Sequence, residues 1–135
     1  MADQNRRNFL TTTLMVAAGM ATYNPIPLIK KKAGIIHHVL FWLKNPSSQQ
    51  DKEQLIKGLE TLRKIETVKK LYIGVPASTE QRDVIDKSYH VSELMFFDDL
   101  KGQEIYQQHP VHQQFIKENL HLWEKVVVYD VEVKQ

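Results

Sequence analysis

IIHHVLFWLK, residues 35–44, is a run of apolar, β-branched and aromatic residues interrupted only by two adjacent histidines. A run of this length and composition predicts a β-strand that is buried on both faces. Successive side chains of a strand point to opposite faces of the sheet, so His37 and His38 are expected on opposite sides. One of the two histidines should therefore face the interior of the domain.

The segment that follows this strand has the pattern of an amphipathic helix. Asn45 and Pro46 end the strand, and Ser47 with Gln50 forms a plausible capping box. Apolar residues then recur at helical spacing, with lysines and glutamates between them. The helix is expected to end near Ile65, and its inward residues are Leu55, Ile56, Leu59 and Leu62.

Three further strands can be predicted along the chain. TVKKLYIGV (67–75) forms the second strand, and a polar connection covers residues 76–86. SYHVSELMFF contains a third strand, Tyr89–Phe97, but the sequence does not decide which of its two alternating sets of side chains faces inward. KVVVYDVEV (125–133) forms the fourth strand. With a second helical segment before the last strand, the order is βαββαβ. The sequence therefore predicts an α+β, ferredoxin-like fold with one sheet covered by two helical segments.

The second helical segment is expected to break at Pro110. Asp98 or Asp99 can cap its start. Proline has no N–H for the carbonyl four residues earlier and its ring crowds that carbonyl, so the helix must kink or restart. His109 is then the expected cap of the restarted helix, and Pro110 its first residue. The inward stripe of this restarted helix is predicted to contain Val111, Phe115 and Leu120.

The predicted sheet has apolar residues on both faces, although helices can cover only one. In the last strand, Val127, Val131 and Val133 alternate with Val126 and Val128. A second copy of the chain, packed sheet to sheet, would cover the open face. The sequence therefore favours a homodimer, with room for a small-molecule pocket between sheet and helices.

Composition limits the classes of function. The chain has 135 residues, a net charge of +2 and no cysteine. This length fits one domain, and the small charge, with its lysine run 30–32 in a linker, does not indicate a nucleic-acid partner. Without cysteine there are no disulfides, thiolate nucleophiles or cysteine zinc motifs, and the redox compartment stays open.

The N-terminal segment has the layout of a secretory signal. Arg6 and Arg7 precede Phe9, Leu10 and a short apolar stretch that ends near Ala21. This stretch is too short and too rich in small residues to span a membrane, and Arg-Arg-x-Phe-Leu resembles a twin-arginine signal. We expect residues 1–22 to be a signal peptide, 23–34 a linker and 35–135 the domain; a disordered or amphipathic N-terminus is the alternative. Export would place the protein in the periplasm or another extracytoplasmic space, without stable membrane association.

The segment YQQHPVHQQF, Tyr106 to Phe115, concentrates chemically useful side chains. Together with HHVLFWLK, YHVSELMFFDD and WEKVVVYDVEV, it makes the domain resemble the stress-responsive dimeric α/β-barrel (Dabb) family and, within it, a plant polyketide cyclase. This resemblance covers about the whole predicted domain. It implies a ferredoxin-like subunit that forms a dimeric barrel.

The resemblance also implies roles for particular residues. The cyclase's catalytic histidine falls on His112, its partner tyrosine on Tyr106, and a pocket histidine of the first strand on His37. A further pocket histidine of the cyclase falls near Val91, where this sequence departs from the pattern. The residues expected to line a ligand pocket are His37, Tyr89, Phe115 and Trp123, although Phe115, Trp123 and Trp42 are equally consistent with ordinary core aromatics.

Two hypotheses follow for function. In one, the protein is an exported, dimeric barrel that binds a small organic ligand, and His112 only bridges helix and strand. In the other, it is a cofactor-free cyclase or lyase in which His112 is the general base and Tyr106 the oxyanion donor for a small carbonyl compound. Activated polyketide thioesters belong to the cytoplasm, so an exported enzyme should act on a different substrate.

Cofactor and metal sites receive little support from the sequence. A metal bound by His109, His112 and His121 would need three convergent nitrogens, but the second helix separates His109 from His121 along its length. A haem would have only a lone histidine as axial ligand. We therefore expect neither a cofactor nor a metal.

Overall fold

The computed structural model describes residues 18–27 and 32–134. Residues 18–27 have no regular secondary structure and are exposed. The expected signal peptide, residues 1–22, lies for the most part outside the described residues. Among the helices of the described ranges, none combines the length and the apolar character that a membrane span needs.

The described domain has four strands and three α-helices, with a short 3₁₀ helix after α1 (Thr61–Lys64) and another after α3 (Leu120–Leu122). In chain order the elements are β1 (Ile35–Leu43), α1 (Gln49–Glu60), β2 (Lys70–Gly74), β3 (Val91–Phe97), α2 (Leu100–Gln108), α3 (Pro110–Asn119) and β4 (Trp123–Glu132).

The four strands form one antiparallel sheet in the order β2-β3-β1-β4. β1 is central, with Ile35 opposite Phe97 on β3 and opposite Glu132 on β4. This is the ferredoxin-like α+β fold that the order of elements predicts. The prediction of the fold class is therefore confirmed.

The core lies between the helices and one face of the sheet. β1 alternates buried and half-buried residues along its whole length, which places His37 on the helix side and His38 on the other. The main apolar residues of this core are Val39, Phe41, Leu43, Leu55, Leu59, Leu62, Val91, Met95 and Phe115. The outward face of the sheet carries large apolar side chains that no element of the described chain covers, among them Tyr72, Tyr129 and Val131.

α1 begins one residue later than the capping box predicted. A turn in which the Ser48 N–H donates to the Asn45 carbonyl leads into the helix, so Ser48 takes the cap position. Its Oγ accepts a hydrogen bond from the Asp51 N–H at 3.1 Å. The prediction of Ser47 as the cap is therefore wrong, because the turn after Pro46 consumes one more residue.

Two strands begin later than predicted. The Val68 N–H donates to the Ile65 carbonyl in a turn, which delays β2 to Lys70. β3 begins at Val91, two residues after the predicted start. The side chains that face inward, which the sequence left undecided, are those of Val91, Glu93, Met95 and Phe97. Glu93 consequently points to the helix side of the sheet.

The break at Pro110 is confirmed, and one residue of the predicted stripe is not. Asp99 caps α2, and His109 caps α3 with its Nδ1 accepting from the Val111 N–H at 3.1 Å. Leu120, predicted to face inward, is 55% exposed. α3 ends at Asn119, and the tighter 3₁₀ turn that follows rotates Leu120 outward while Leu122 enters the core.

Candidate active site

A cavity of about 210 Å³ lies between the sheet and helices α2 and α3. Its walls come from three of the four strands and from both helices, and they combine apolar side chains with a few convergent polar groups, as small-molecule sites do. The lining residues are His37, Val39, Phe41, Glu93, Tyr106, Gln107, His112, Phe115, Ile116, Trp123, Val126 and Val128. A larger depression of about 320 Å³ lies on the surface beside Lys32 and Asp99, but these two side chains pair with each other.

Tyr106 and His112 meet at this cavity. Their ring centroids are 4.5 Å apart, with 42° between the ring planes. On a straight helix, side chains six residues apart would point in different directions. The restart at Pro110 changes the direction of the chain between the two residues and lets their rings come together.

The same break determines which ring nitrogen of His112 carries the proton. The Gln107 carbonyl has lost its usual helical donor, because the Val111 N–H donates to His109 instead. His112 Nδ1 lies 3.1 Å from the Gln107 carbonyl, and since a carbonyl can only accept, Nδ1 carries the proton. Burial lowers the pKa of His112 below its ordinary value and the nearby His37 adds to this effect, although the hydrogen bond to the Gln107 carbonyl acts in the opposite direction. His112 is therefore neutral near pH 7, with a free lone pair on Nε2.

Tyr106 keeps its phenolic proton. Its side chain is 1% exposed, and its Oη lies within hydrogen-bonding distance of Glu93 Oε1, at 3.4 Å. Burial raises the pKa of Tyr106 well above its ordinary value, and the Glu93 carboxyl beside it raises the pKa further. Tyr106 is therefore a hydrogen-bond donor at every physiological pH.

Glu93 is the buried acid of this site. Its side chain is 1% exposed, and burial raises its pKa to about 8, although the hydrogen bond from Tyr106 acts in the opposite direction. A carboxylate without a cationic partner is costly in such a place, so the neutral acid is favoured. Sequence reasoning did not identify Glu93 as a site residue. The available signal was that Glu93 alternates with Val91 and Met95 and therefore lies on the same face of β3 as these two apolar residues.

His37 is held from outside the cavity. Its Nδ1 donates to Asp130 Oδ1 at 2.5 Å, across the register that pairs these two residues on β1 and β4. Its ring contacts Tyr106 edge to face, with centroids 5.6 Å apart. The hydrogen bond to the aspartate fixes the orientation of the imidazole beside the tyrosine.

The other residues predicted to line the pocket divide into two groups. Phe115 and Trp123 line the cavity and stack with centroids 6.0 Å apart. Tyr89 precedes β3 and is not among the lining residues. Val91, at the position of the cyclase's further histidine, is fully buried in the core.

His109 and His121 lie away from this cavity. His109 is occupied as the cap of α3, and His121 is exposed in the 3₁₀ turn before β4. Within residues 18–27 and 32–134, no three histidine, aspartate or glutamate side chains are grouped as metal ligands. The acid, phenol and imidazole groups of the cavity are suited to proton transfer and hydrogen bonding.

These features define a ferredoxin-like domain in which acid, phenol and imidazole groups line a cavity between the sheet and helices α2 and α3. The chain belongs to the stress responsive A/B barrel domain (Dabb) family, whose model matches residues 35–133. Among functionally curated proteins, no sequence matches this chain.

Solved structures show the same fold at low sequence identity. A dimeric ferredoxin-like protein of unknown function from Thermobifida fusca is 21% identical, covers 76% of this chain and 93% of its own, and has a TM-score of 0.63. A Dabb family protein from Mesorhizobium loti is 24% identical, covers 74% of this chain and 96% of its own, and has a TM-score of 0.61. A hydroxynitrile lyase from Passiflora edulis is 20% identical, covers 78% of this chain and 96% of its own, and has a TM-score of 0.64.

Proposed function

We propose that the protein is a cofactor-independent enzyme that binds a small carbonyl compound in the cavity, transfers a proton with His112 and stabilises the oxyanion with a hydrogen bond from Tyr106. The observation that carries this proposal is the 4.5 Å approach of the two rings at the cavity wall. One group is a neutral base and the other a donor that keeps its proton. This is the pair that ring closure or carbon–carbon cleavage beside a carbonyl requires.

The proposed reaction begins when His112 Nε2 takes a proton from the carbon next to the carbonyl. Tyr106 donates its O–H to the carbonyl oxygen, on which negative charge develops. The enolate carbon then attacks a second carbonyl carbon, whose C=O π bond opens to an alkoxide, and His112 returns its proton to that alkoxide oxygen. In the reverse direction His112 takes the hydroxyl proton, the carbon–carbon bond breaks as the C=O bond re-forms, and His112 protonates the enolate that is released. A positioned base contributes about 10²–10⁴-fold to such a rate.

A second candidate is a binding protein without catalysis. The observation that favours it is the apolar wall formed by Phe115, Trp123, Val126 and Val128, which would bind a small organic molecule without any proton transfer. In that case His112 only satisfies the free carbonyl of Gln107. Both candidates place the ligand in the same cavity and differ in whether His112 exchanges protons with it.

The proposal includes a homodimer. Tyr129 and Val131 are 57% and 48% exposed on the sheet face away from the helices. An open apolar face of this kind is usually covered by another molecule. Three of the similar structures are described as dimeric and ferredoxin-like, which supports a second copy as the cover.

We also propose export, since Arg6 and Arg7 precede Phe9 and Leu10 with one residue between the two pairs, as in a twin-arginine signal. Fusion of residues 1–34 to a reporter that must fold before export tests this in a bacterium with a twin-arginine pathway. We expect the reporter outside the cytoplasm. Replacing both arginines with lysine should retain it inside, and equal export of both forms would reject the twin-arginine route.

Hydrogen–deuterium exchange tests the catalytic proposal without knowledge of the natural substrate. Phenylacetone, a small aryl ketone, is incubated with the protein in D₂O, and loss of the proton signal beside the carbonyl is followed by NMR. We expect exchange well above the buffer rate and a loss of about 10²-fold or more in His112→Ala.

His121→Ala is the matched control, because His121 is exposed and is not among the residues that line the cavity. It should exchange phenylacetone as fast as the unaltered protein. If the unaltered protein binds phenylacetone but exchanges it no faster than His112→Ala, the binding function is favoured and the catalytic proposal is rejected.

A further inference from the structure

We infer that Glu93 is a positioning residue: as a neutral acid it donates a hydrogen bond to Tyr106 Oη and so leaves the tyrosine proton free for the oxygen of a bound ligand. This inference rests on the proposed function, because it assigns a partner to the oxyanion donor. Glu93 itself need not touch the ligand.

The geometry makes Tyr106 the single polar partner of Glu93 among the described residues. Glu93 lies in the middle of β3, opposite Val39 on β1 and Ile73 on β2. Its hydrogen bond is to Tyr106 Oη, with 3.4 Å between the oxygen atoms. The 1% exposure of each side chain leaves water little access to this pair.

The surroundings of Glu93 favour the neutral form. Among the described residues, α1 presents the apolar Leu55 and Leu59 to the core, and β2 presents Ile73. The titratable groups that face the cavity are Tyr106 from α2, His112 from α3, and His37 from β1 with its partner Asp130 from β4. None of these forms an ion pair with Glu93, and burial raises the pKa of the carboxyl to about 8.

The protonation of Glu93 decides where the tyrosine proton points. A carboxylate can only accept, so it holds the Tyr106 proton. A neutral carboxyl can donate its own O–H to Oη, and the phenolic O–H can then turn toward the cavity. A hydrogen bond received by Oη also strengthens the hydrogen bond that the phenol donates. Ionisation of Glu93 at alkaline pH should therefore withdraw Tyr106 from the ligand.

Binding of 3,4-dinitrophenol tests this without turnover. The molecule is a phenolate throughout the range from about pH 7 to pH 10, so its oxygen imitates a reaction oxyanion, and its absorbance reports binding. We expect the affinity of the unaltered protein to fall roughly tenfold as Glu93 ionises, as the loss of one hydrogen bond to a charged group predicts.

Three variants separate the inference from simpler explanations. Glu93→Gln keeps a donor without an ionisable group and should bind the phenolate with the same high affinity across the range. Glu93→Leu should bind more weakly at every pH. Tyr106→Phe should bind weakly with little pH dependence; if its affinity still falls with pH as in the unaltered protein, direct repulsion by the carboxylate explains the effect and the inference fails.

Infrared spectroscopy provides a second readout for the folded protein. The C=O band of a protonated carboxyl should be present in the unaltered protein at neutral pH, absent in Glu93→Gln, and shifted by 3,4-dinitrophenol. Absence of the band in the unaltered protein, or a pH dependence that persists in Glu93→Gln, would overturn the inference. Failure of phenylacetone exchange with these results intact would reject the catalytic proposal alone.

Discussion

Tyr106 and His112 bring their rings to a centroid distance of 4.5 Å because one proline separates the two helices that carry them. Pro110 ends α2 by removing a donor and begins α3 with its fixed φ angle. The freed Gln107 carbonyl then accepts a hydrogen bond from the N–H of His112 Nδ1. A single break in the helix thus places the candidate base, fixes its tautomer and brings it to the tyrosine.

The pH dependence of proton exchange should be bell-shaped. His112 must be neutral, and burial lowers its pKa, so activity should rise with pH below the ordinary histidine value of about 6.5. Activity should fall again near pH 8, where Glu93 ionises. Rates of phenylacetone exchange measured across pH test both limbs. In Glu93→Gln only the acid limb should remain, and a rate that keeps its alkaline limb would contradict this assignment.

The stability of the fold should also respond to Glu93. Its pKa is raised from 4.5 to about 8 in the folded state, so the folded state holds a proton that the unfolded state has released. Stability is therefore lost as pH rises from about 4.5 to about 8, by on the order of a few kcal/mol. Urea unfolding at several pH values should show that the free energy of unfolding of Glu93→Gln rises relative to that of the unaltered protein as pH increases through this range. A constant difference between the two would refute the prediction.

Replacement of the serines before α1 should distinguish the two candidate caps. Ser48→Ala removes the acceptor of the Asp51 N–H and should lower the free energy of unfolding by about 1 kcal/mol. Ser47→Ala is the matched control and should change it by less than about 0.5 kcal/mol. Chemical denaturation of the two variants provides the measurement, and equal losses would contradict the assignment of the cap.

Gly58 should resist substitution because Asn119 packs against it. A Cβ at Gly58 would lie 2.7 Å from Asn119 Nδ2, and Asn119 is held by its hydrogen bond to the Phe115 carbonyl at 2.9 Å. The overpacking costs about 1–3 kcal/mol, which exceeds the gain in helix propensity of about 1 kcal/mol. Thermal unfolding should therefore show a lower midpoint for Gly58→Ala.

Gly102→Ala is the control for that variant. Its added Cβ would meet its nearest atoms at 3.5 Å, which is ordinary contact, so the helix propensity gain should be kept. The double variant Gly58→Ala/Asn119→Ala should lose less unfolding free energy than the two single variants together, because the clash between the two side chains is absent. Strict additivity would show that Gly58 and Asn119 are not coupled.

A charge on the open sheet face should disrupt the proposed dimer. Val131 lies on this face, opposite Ile36 of β1, and is 48% exposed in the single chain. Val131→Lys would bury a charge between two copies, so sedimentation should report a smaller species. Val84→Lys, at a residue that is 83% exposed in the loop before β3, should leave the assembly unchanged. A monomeric unaltered protein would reject the dimer itself.

Much of the fold follows from local patterns in the chain. The continuous apolar run of β1 and the spacing of Leu55, Leu59 and Leu62 depend on periodicities that any strand or helix must satisfy. The break at Pro110 and the cap at His109 depend on bonds that the chain cannot make locally. These features could be predicted because their causes lie within a few residues.

Errors arose at the boundaries of the helices and strands. The start of α1 moved to Ser48 through one extra residue in a turn, and Leu120 turned outward where α3 tightened into a 3₁₀ helix. Tyr89 fell outside the cavity because β3 begins only at Val91. Boundaries are decided by small differences between competing hydrogen bonds, which the residue pattern does not contain.

The sequence by itself determined the order of elements and the helix break, and the family resemblance it carries indicated Tyr106 and His112 as the candidate pair. Only the tertiary structure decided that Glu93 faces inward beside Tyr106 and that Asp130 holds His37. The parity of β3 depends on its register with β1 and β2, which are distant in sequence. Protonation of the buried acid depends on the absence of a cation among all the described elements packed around it, and that is a property of the assembled core.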